Sequence, residues 1–194
     1  AYAPLLPEIE FITFNDIADL AHITDKTAAV IIEAIQGEAG VRVPDVAYMQ
    51  ALRKRCDETG ALLVFDEIQT GFGRTGRLFA FEHYGIIPDI LMLAKGIGGG
   101  MPLGAFVAAK QVMDVIKDNP MLGHITTFGG HPVSCAAAKA SLEVILEDQL
   151  VEQVAEKEQL FRNLLQHPKI KEIRGKGLMM CLQLENFEQV YNVS

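Results

Sequence analysis

Two short apolar segments each end on a charged residue, and this pattern constrains the fold more than any other feature of the chain. Ala61–Phe65 is followed by Asp66, and Ile90–Ala94 is followed by Lys95. Short, nearly continuous apolar runs are typical of strands that are buried on both faces of a parallel sheet. In open α/β sheets, ligands bind outside the carboxyl ends of the strands. Asp66 and Lys95 are therefore the first candidates for a functional site.

The neighbouring segments complete an α/β pattern. Ala105–Ala109 is predicted to be another strand, and so is Ala28–Ile35, whose continuous apolar sequence predicts burial on both faces. Pro44–Thr59 carries apolar residues at helical spacing and stops before Gly60, where glycine commonly ends a helix. Strands that alternate with helices indicate a mostly parallel sheet between layers of helices.

The second half of the chain has a different pattern. Pro132–Leu146 and Leu150–Gln166 are predicted helices, and a proline suits the first turn of the former. Ile170–Arg174 and Leu178–Leu184 are predicted strands, joined by a turn that contains two glycines. The second of these helices and the two strands after it indicate a smaller unit of the α+β class, which begins after Leu146.

The predicted elements divide the chain into two domains. We expect the large α/β domain over residues 1–147 and the start of a small α+β domain over residues 148–194. The second unit has too few residues to complete a sheet, and the chain begins with alanine instead of methionine. The sequence is therefore interpreted as a piece of a longer protein.

Composition and charge narrow the class of protein. The 194 residues carry a net charge of −8, with 49% apolar and 22% charged side chains, as in ordinary globular proteins. The acidic balance argues against nucleic acid or an anionic membrane as partner, and no apolar run reaches the roughly 18 residues of a membrane helix. Three widely spaced cysteines, at positions 56, 135 and 181, are interpreted as reduced core thiols of a cytoplasmic protein. The histidines form no close-spaced ligand set, so no metal site is predicted.

Asp66 and Lys95 allow two interpretations. In one they form a buried ion pair without chemistry, since each charge is costly to bury alone. The surrounding residues favour a functional site: a glycine-rich loop follows Lys95, Gln69 follows Asp66, and Thr126–Pro132 opens a helix. Glycines let the backbone approach a bulky group, and hydroxyls with the free amides of a helix start bind an anion. A carboxylate for a ring cation, a lysine for an aldehyde and an anion site for a phosphate are what pyridoxal phosphate requires.

A different class of protein shares part of this pattern. Residues 62–67 match the Walker B strand of an ATPase, but the chain contains no G-x-x-x-x-G-K-[ST] loop. An ATPase whose phosphate loop lies upstream of this sequence is the alternative. Gly71–Gly76 has the letters G-x-G-x-x-G but does not directly follow its strand, so we interpret it as a loop.

Three motifs together resemble the class III aminotransferases that depend on pyridoxal phosphate, in the acetylornithine and ornithine aminotransferase group. They are Glu33–Glu38, Ala61–Ala105 and Thr126–Pro132. With Ile173–Leu178 added, the resemblance covers nearly the whole chain. It implies the fold of the fold-type I transferases, represented here by part of the large domain and the start of the small one.

The resemblance implies roles for individual residues. Lys95 would hold pyridoxal 5′-phosphate as a Schiff base and would later move a proton between the α-carbon of the substrate and the C4′ carbon of the cofactor. Asp66 would pair with the protonated ring nitrogen. The other implied cofactor contacts are Glu67, Ile68, Gln69 and Thr127, and the implied substrate contacts are Glu38 and Thr126. Thr127 would bind the phosphate held by the neighbouring subunit, so the resemblance implies a homodimer with active sites at the subunit interface.

The implied reaction moves the terminal amine of an ornithine-like donor to 2-oxoglutarate, giving a semialdehyde and glutamate. N-acetylornithine, as in arginine biosynthesis, is the first choice of donor and ornithine the second; succinylornithine, 4-aminobutyrate and LysW-type donors stay open. A non-catalytic, dimer-forming homologue is the remaining alternative, against which the retained Lys95 argues. The resemblance further implies a phosphate loop, a ring-stacking aromatic residue and substrate-binding arginines outside this sequence, so the chain alone is expected to be inactive.

Overall fold

A four-stranded sheet forms the centre of the computed structural model, which describes residues 7–118, 121 and 124–185. Its strands, in spatial order, are β1 (Ala29–Glu33), β2 (Leu62–Asp66), β3 (Ile90–Leu93) and β4 (Ala105–Ala108). β1, β2 and β3 run parallel, and β4 runs antiparallel to β3. The prediction of an α/β fold with a mostly parallel sheet is confirmed.

The connection between β3 and β4 explains why the last strand reverses direction. A parallel crossover needs about a dozen or more residues and usually contains a helix. Only Ala94–Gly104 joins these two strands, so β4 returns beside β3 with Leu93 opposite Ala105. The apolar pattern of a strand does not reveal its direction, but the length of its connection does.

Helix α1 (Val46–Thr59) packs on the sheet and supplies much of the core. Its buried residues are Tyr48, Met49, Leu52 and Cys56. They lie on one face of the helix because their spacing follows the helical period, and they pack with Leu63 and Phe65 of β2. The helix ends where the sequence predicted, at Gly60, which has a left-handed φ of +79° and donates its N–H to the carbonyl of Cys56 at 2.9 Å.

Three helices and a two-stranded sheet follow β4 in the described part of the chain. They are α2 (Lys110–Asp118), α3 (Pro132–Glu147), α4 (Val154–Leu164), β5 (Ile170–Lys176) and β6 (Met179–Leu184). β5 and β6 pair antiparallel, as their short connection predicts, whereas α2 was not predicted. Within the described residues, no helix has the length and apolar sequence that a membrane crossing requires. The domain boundary between residues 147 and 148 stays a prediction.

Two sequence-based predictions of burial are wrong. Val30 and Ile32 of β1 pack against the core, but Ile31, on the opposite face of the strand, is 70% exposed. The three cysteines are free, as predicted, yet Cys56 is buried whereas Cys135 is exposed. An apolar sequence shows only that burial is favourable, and the neighbouring elements decide which side chains are covered.

Candidate active site

An open cavity of about 750 Å³ lies at the carboxyl ends of β2 and β3. Four of the predicted site residues line it: Glu38, Ile68, Gln69 and Lys95. The volume is in the range of about 300–1,000 Å³ that is usual for small-molecule sites. The cavity is therefore the candidate active site, at the sheet edge where the sequence placed it.

Lys95 is held at the cavity wall by a strained backbone. It begins a short 3₁₀ helix, Lys95–Gly98, with a φ of +48°. A positive φ costs a non-glycine residue about 1–3 kcal/mol, and such strain is found mostly at functional sites. The next residue, Gly96, lies against Phe72, so that a β-carbon on Gly96 would be 3.4 Å from that side chain. The backbone at Lys95 thus departs from that of a relaxed loop, and Phe72 packs against the residue that follows it.

Asp66 is the last residue of β2, beside the strand that leads to Lys95. It lies opposite Met92 of β3 in the sheet register. Its Oδ1 accepts a hydrogen bond from the N–H of Ile68 at 2.9 Å. No ion pair joins Asp66 to Lys95 within the described residues, so the interpretation as a buried ion pair is wrong. The second carboxylate oxygen of Asp66 has no hydrogen-bond partner in the described chain, which leaves it free for a cation.

Glu38 and Gln69 meet at the wall of the cavity. The Gln69 Nε2 donates to Glu38 Oε1 at 3.4 Å, a long hydrogen bond. The loop that carries Glu38 is joined to the end of β1, because the N–H of Gly37 donates to Glu33 Oε2 at 2.8 Å. Two residues from distant parts of the sequence are therefore brought together where a ligand would lie.

Glu67 is placed differently from the other predicted cofactor contacts. Its side chain is fully buried, and its carboxylate accepts hydrogen bonds of 2.8 Å from the Thr70 hydroxyl and from the N–H groups of Ala80 and Phe81. Burial raises the pKa of this carboxyl, and the three hydrogen bonds oppose that shift. Neither Glu67 nor Asp66 is among the described residues that line the cavity. Glu67 holds the loop between β2 and β3 through these hydrogen bonds, and its implied cofactor contact stays a prediction.

Thr126 and Thr127 lie outside the cavity that contains Lys95. They line a smaller cavity of about 390 Å³ together with residues 102–104 and 128–130. Both threonines are exposed in the turn before α3. Their implied roles, toward the substrate and the phosphate of a neighbouring subunit, stay predictions. The described residues contain no group of His, Cys, Asp and Glu arranged to hold a metal ion.

One wall of the main cavity comes from the second half of the chain and was not predicted. Val151 and Met179 line it. Met179 reaches the cavity because the β5–β6 turn docks on the loop after β2: the N–H of Leu178 donates to the carbonyl of Arg74 at 2.9 Å. Gly177 allows this docking, since a β-carbon there would lie 2.6 Å from the backbone of Thr75. Gly177 is the feature of the sequence that could indicate such a close approach between two backbone segments.

Comparison with known protein families shows which family the chain belongs to. The family model for the class-III aminotransferases matches residues 7–192. The chain belongs to this family, which confirms the resemblance carried by the motifs. The ATPase interpretation of residues 62–67 is therefore wrong.

Two curated relatives are similar over nearly the whole chain. The acetylornithine aminotransferase of Methanocaldococcus jannaschii is 48% identical over 190 residues, which are 95% of this chain and 47% of that protein. The acetylornithine aminotransferase of Methanopyrus kandleri is 44% identical over 191 residues, 97% of this chain and 48% of that protein. The chain thus spans about half the length of the curated relatives it matches.

Solved structures of this family share the fold. The ornithine aminotransferase of Toxoplasma gondii superposes with a TM-score of 0.87 at 37% identity, covering 95% of this chain and 45% of that one. That structure has pyridoxal phosphate at partial occupancy in its active site. The acetylornithine aminotransferase of Elizabethkingia anophelis gives a TM-score of 0.85 at 37% identity, covering 94% of this chain and 48% of that one.

Proposed function

We propose that the full-length protein transfers the terminal amine of an ornithine-like donor, with pyridoxal phosphate as cofactor. The observation that carries this proposal is the placement of Lys95 at the wall of the cavity, in a strained turn directly after β3. A lysine that lines the same cavity as Gln69 and Glu38 is suited to covalent amine chemistry. Membership of the class III family supports the same reaction.

The residues around the cavity fit the cofactor. Lys95 would hold its aldehyde carbon, and the free oxygen of Asp66 would face the ring nitrogen. Ile68 would pack on the ring, and Gln69 would hydrogen-bond near the ring hydroxyl. When bound, pyridoxal phosphate supplies the electron sink that amino-group transfer needs.

The chain itself contributes charge, proton transfer and exclusion of water. The Lys95 Nζ would take a proton from the substrate carbon that bears the amine and would deliver it to the C4′ carbon of the cofactor. The negative charge of Asp66 would keep the ring nitrogen opposite it protonated, which strengthens the electron-withdrawing character of the bound cofactor. The apolar side chains of Val151, Val154 and Met179 line the cavity and would exclude water, which strengthens these electrostatic interactions.

N-acetylornithine is the donor that we propose, with 2-oxoglutarate as acceptor. The two curated acetylornithine aminotransferases are 48% and 44% identical to this chain, which supports N-acetylornithine as the first donor to test. Among the solved structures, the ornithine aminotransferase of Toxoplasma and the acetylornithine aminotransferase of Elizabethkingia are both 37% identical, so ornithine is the second donor, followed by succinylornithine and 4-aminobutyrate. Glu38, at the wall of the cavity, would help the site to accept both the donor and 2-oxoglutarate.

We also propose that the full-length protein is cytoplasmic and forms a homodimer. Thr127 would bind the phosphate held by Lys95 of the partner chain, with Thr126 close to the substrate. The turn that carries both residues is exposed, as a contact with a second chain requires. The free cysteines are consistent with a reducing compartment.

The direct test is to find which lysine holds the cofactor. The full-length protein, loaded with pyridoxal phosphate, is reduced with borohydride and its peptides are mapped by mass. The expected result is a pyridoxyl group on Lys95 and none on Lys110. An adduct on Lys110, or on no lysine, would overturn the assignment. A parallel assay with each donor and 2-oxoglutarate should give the fastest transfer with N-acetylornithine, and no transfer from any amine would favour the non-catalytic homologue.

A further inference from the structure

Arg174, on β5, reaches from the small sheet to the loop that carries Glu38. Its Nε donates to the carbonyl of Gly40 at 3.0 Å, a contact between residues that are 134 positions apart in sequence. Its Nη1 donates to Glu172 Oε2 at 2.8 Å and also contacts Gln183 of β6. The guanidinium is thus fixed on the small sheet by two side chains, and its Nε–H extends to the loop.

The loop between Gln36 and Arg42 is a closed unit. The N–H of Gln36 donates to the carbonyl of Arg42 at 3.0 Å, and the reverse hydrogen bond measures 2.9 Å. Inside the loop, the N–H of Gly40 donates to the carbonyl of Gly37 at 3.1 Å. Because the loop is closed on itself, a contact that fixes Gly40 also fixes the backbone of Glu38.

Two side chains from outside this loop hold its backbone in the described structure. Glu33, at the end of β1, accepts from the N–H of Gly37 at 2.8 Å, and Arg174 donates to the carbonyl of Gly40. Gly40 has a φ of +97°, and a β-carbon there would lie 3.2 Å from the Arg174 Nη2. The guanidinium therefore packs directly on the loop, which is held between the large sheet and the small one.

We propose that Arg174 is a positioning residue that sets the orientation of Glu38 in the cavity by fixing its loop to the small sheet. The inference rests on the proposed function, in which Glu38 contacts the substrate. Arginine suits this position because its planar fork directs several N–H groups at fixed angles. A lysine would keep the charge but could not hold Gly40, Glu172 and Gln183 together.

The first test is hydrogen exchange of the full-length protein, which needs no enzymatic activity. Arg174→Lys is expected to speed exchange at the amides of residues 37–42 about tenfold, since a charge-assisted hydrogen bond that fixes the loop to the small sheet is lost. The control is Arg162→Lys. Arg162 donates to the carbonyls of Ile173 at 3.0 Å and Gly175 at 3.1 Å, on the same strand, and has no hydrogen bond to the loop. It should leave exchange at 37–42 unchanged, and unchanged exchange in Arg174→Lys would overturn the proposal.

The second test separates positioning from general destabilisation. Arg174→Lys is expected to raise the KM for the amino donor about tenfold, with a smaller change in kcat and an unchanged cofactor spectrum. In a Glu38→Gln background the same substitution should add nothing, because its effect passes through Glu38. Fully additive effects would overturn the proposal. If the wild-type protein transfers no amine at all, the proposed function fails, and the exchange measurement still decides the role of Arg174.

Discussion

The carboxamide of Gln69 lies in the space that a side chain on Gly37 would need. A β-carbon on Gly37 would be 2.8 Å from Gln69 Oε1 and 3.1 Å from its Nε2. The same carboxamide donates to Glu38 at the wall of the cavity. A residue without a side chain at position 37 is therefore what allows Gln69 and Glu38 to lie side by side.

Gly37→Ala is expected to displace Gln69 without unfolding the protein. The far end of a long side chain can rotate away, so the free energy of unfolding should change by less than about 1 kcal/mol. The proposed contact of Gln69 with the cofactor would be lost, which should weaken cofactor binding about tenfold. Titration of the full-length apoprotein with pyridoxal phosphate, followed by absorbance, measures this change.

Gly98→Ala is the matched control for that substitution. A β-carbon on Gly98 would make only ordinary contacts, the nearest at 3.6 Å from the N atom of Leu103. Cofactor affinity should therefore stay at the wild-type value. Equal affinities for Gly37→Ala and the wild type would show that Gln69 does not act on the cofactor.

Asp66→Asn is expected to lower turnover by about 10²-fold or more while the protein still binds the cofactor. The charge of Asp66 would keep the ring nitrogen of the cofactor protonated, so that the ring can accept electrons from the substrate, and an amide cannot replace this charge. Steady-state kinetics and the absorbance of the bound cofactor are the measurements. Asp114→Asn, on the exposed face of α2 where Asp114 pairs with Lys110 and Lys117, should leave turnover unchanged. Near wild-type turnover in Asp66→Asn would make Asp66 a structural residue.

Part of this site could be predicted because strand ends are visible in a sequence. The apolar runs before Asp66 and Lys95 placed both residues at one edge of a sheet, and the structure puts them there. Glu67 shows the limit of that argument. Side chains alternate along an extended chain, so a residue directly after Asp66 turns to the opposite side, and Glu67 is buried beneath the loop. If the alternation is applied one residue beyond the strand, the sequence predicts that the carboxylates of Asp66 and Glu67 point to opposite sides.

Contacts between the two halves of the chain could not be predicted in the same way. The hydrogen bond from Arg174 to Gly40 depends on how the β5–β6 hairpin docks. An arginine on an amphipathic strand is more often a solvated charge, and nothing in its neighbours marks a distant partner. Gly40 gave partial information, because a glycine permits the positive φ that the structure has at this position. The presence of a glycine does not indicate which residue contacts it.

Glu67→Gln is expected to destabilise the protein by about 1–3 kcal/mol. The carboxylate accepts three hydrogen bonds, whereas a carboxamide has one acceptor oxygen and would point its NH₂ at a buried donor. Thermal or urea unfolding of the full-length protein measures the loss. Glu82→Gln is the control, because exposed Glu82 accepts one backbone hydrogen bond at 2.8 Å that the amide oxygen retains, so its effect should stay within about 0.5 kcal/mol. Equal stability of the two variants would remove the structural role of Glu67.

His83 should make stability fall as the pH falls from about 6.5 to about 4. Burial lowers the pKa of His83 to about 4, assisted by the nearby charges of Lys176 and Arg77. The hydrogen bond between its Nε2 and the carbonyl of Thr75, at 3.1 Å, opposes this shift of the pKa, but burial dominates and the folded chain keeps the ring neutral. The unfolded chain protonates it near pH 6.5, binds more protons in this window and is favoured there.

The loss attributable to His83 should be about 1–2 kcal/mol, allowing for the partial exposure of the ring. Unfolding of the full-length protein is measured at pH 7 and pH 4.5. His83→Gln should show a smaller loss between these two values than the wild type does. His22→Gln, which removes an exposed histidine, should keep the wild-type loss. An identical loss in all three proteins would rule out His83 as the source.

Mixing two inactive variants should restore activity if Thr127 serves the partner chain. Helix α3 packs tightly on the turn after Lys95, where a β-carbon on Gly99 would lie 2.6 Å from the carbonyl of Ala137, and Thr127 lines a separate cavity. Full-length Lys95→Ala and Thr127→Ala chains are each expected to be nearly inactive. In a mixed dimer, one site joins an intact Lys95 to an intact Thr127, because a two-fold interface presents the same residues in both directions.

Activity after dissociation and reassociation is the measurement. The control is the Lys95→Ala/Thr127→Ala double variant, which should restore no activity when it is mixed with either single variant. If the two single variants form mixed dimers that stay inactive, Thr127 acts only within its own chain, as a hydroxyl in the turn before a helix can do.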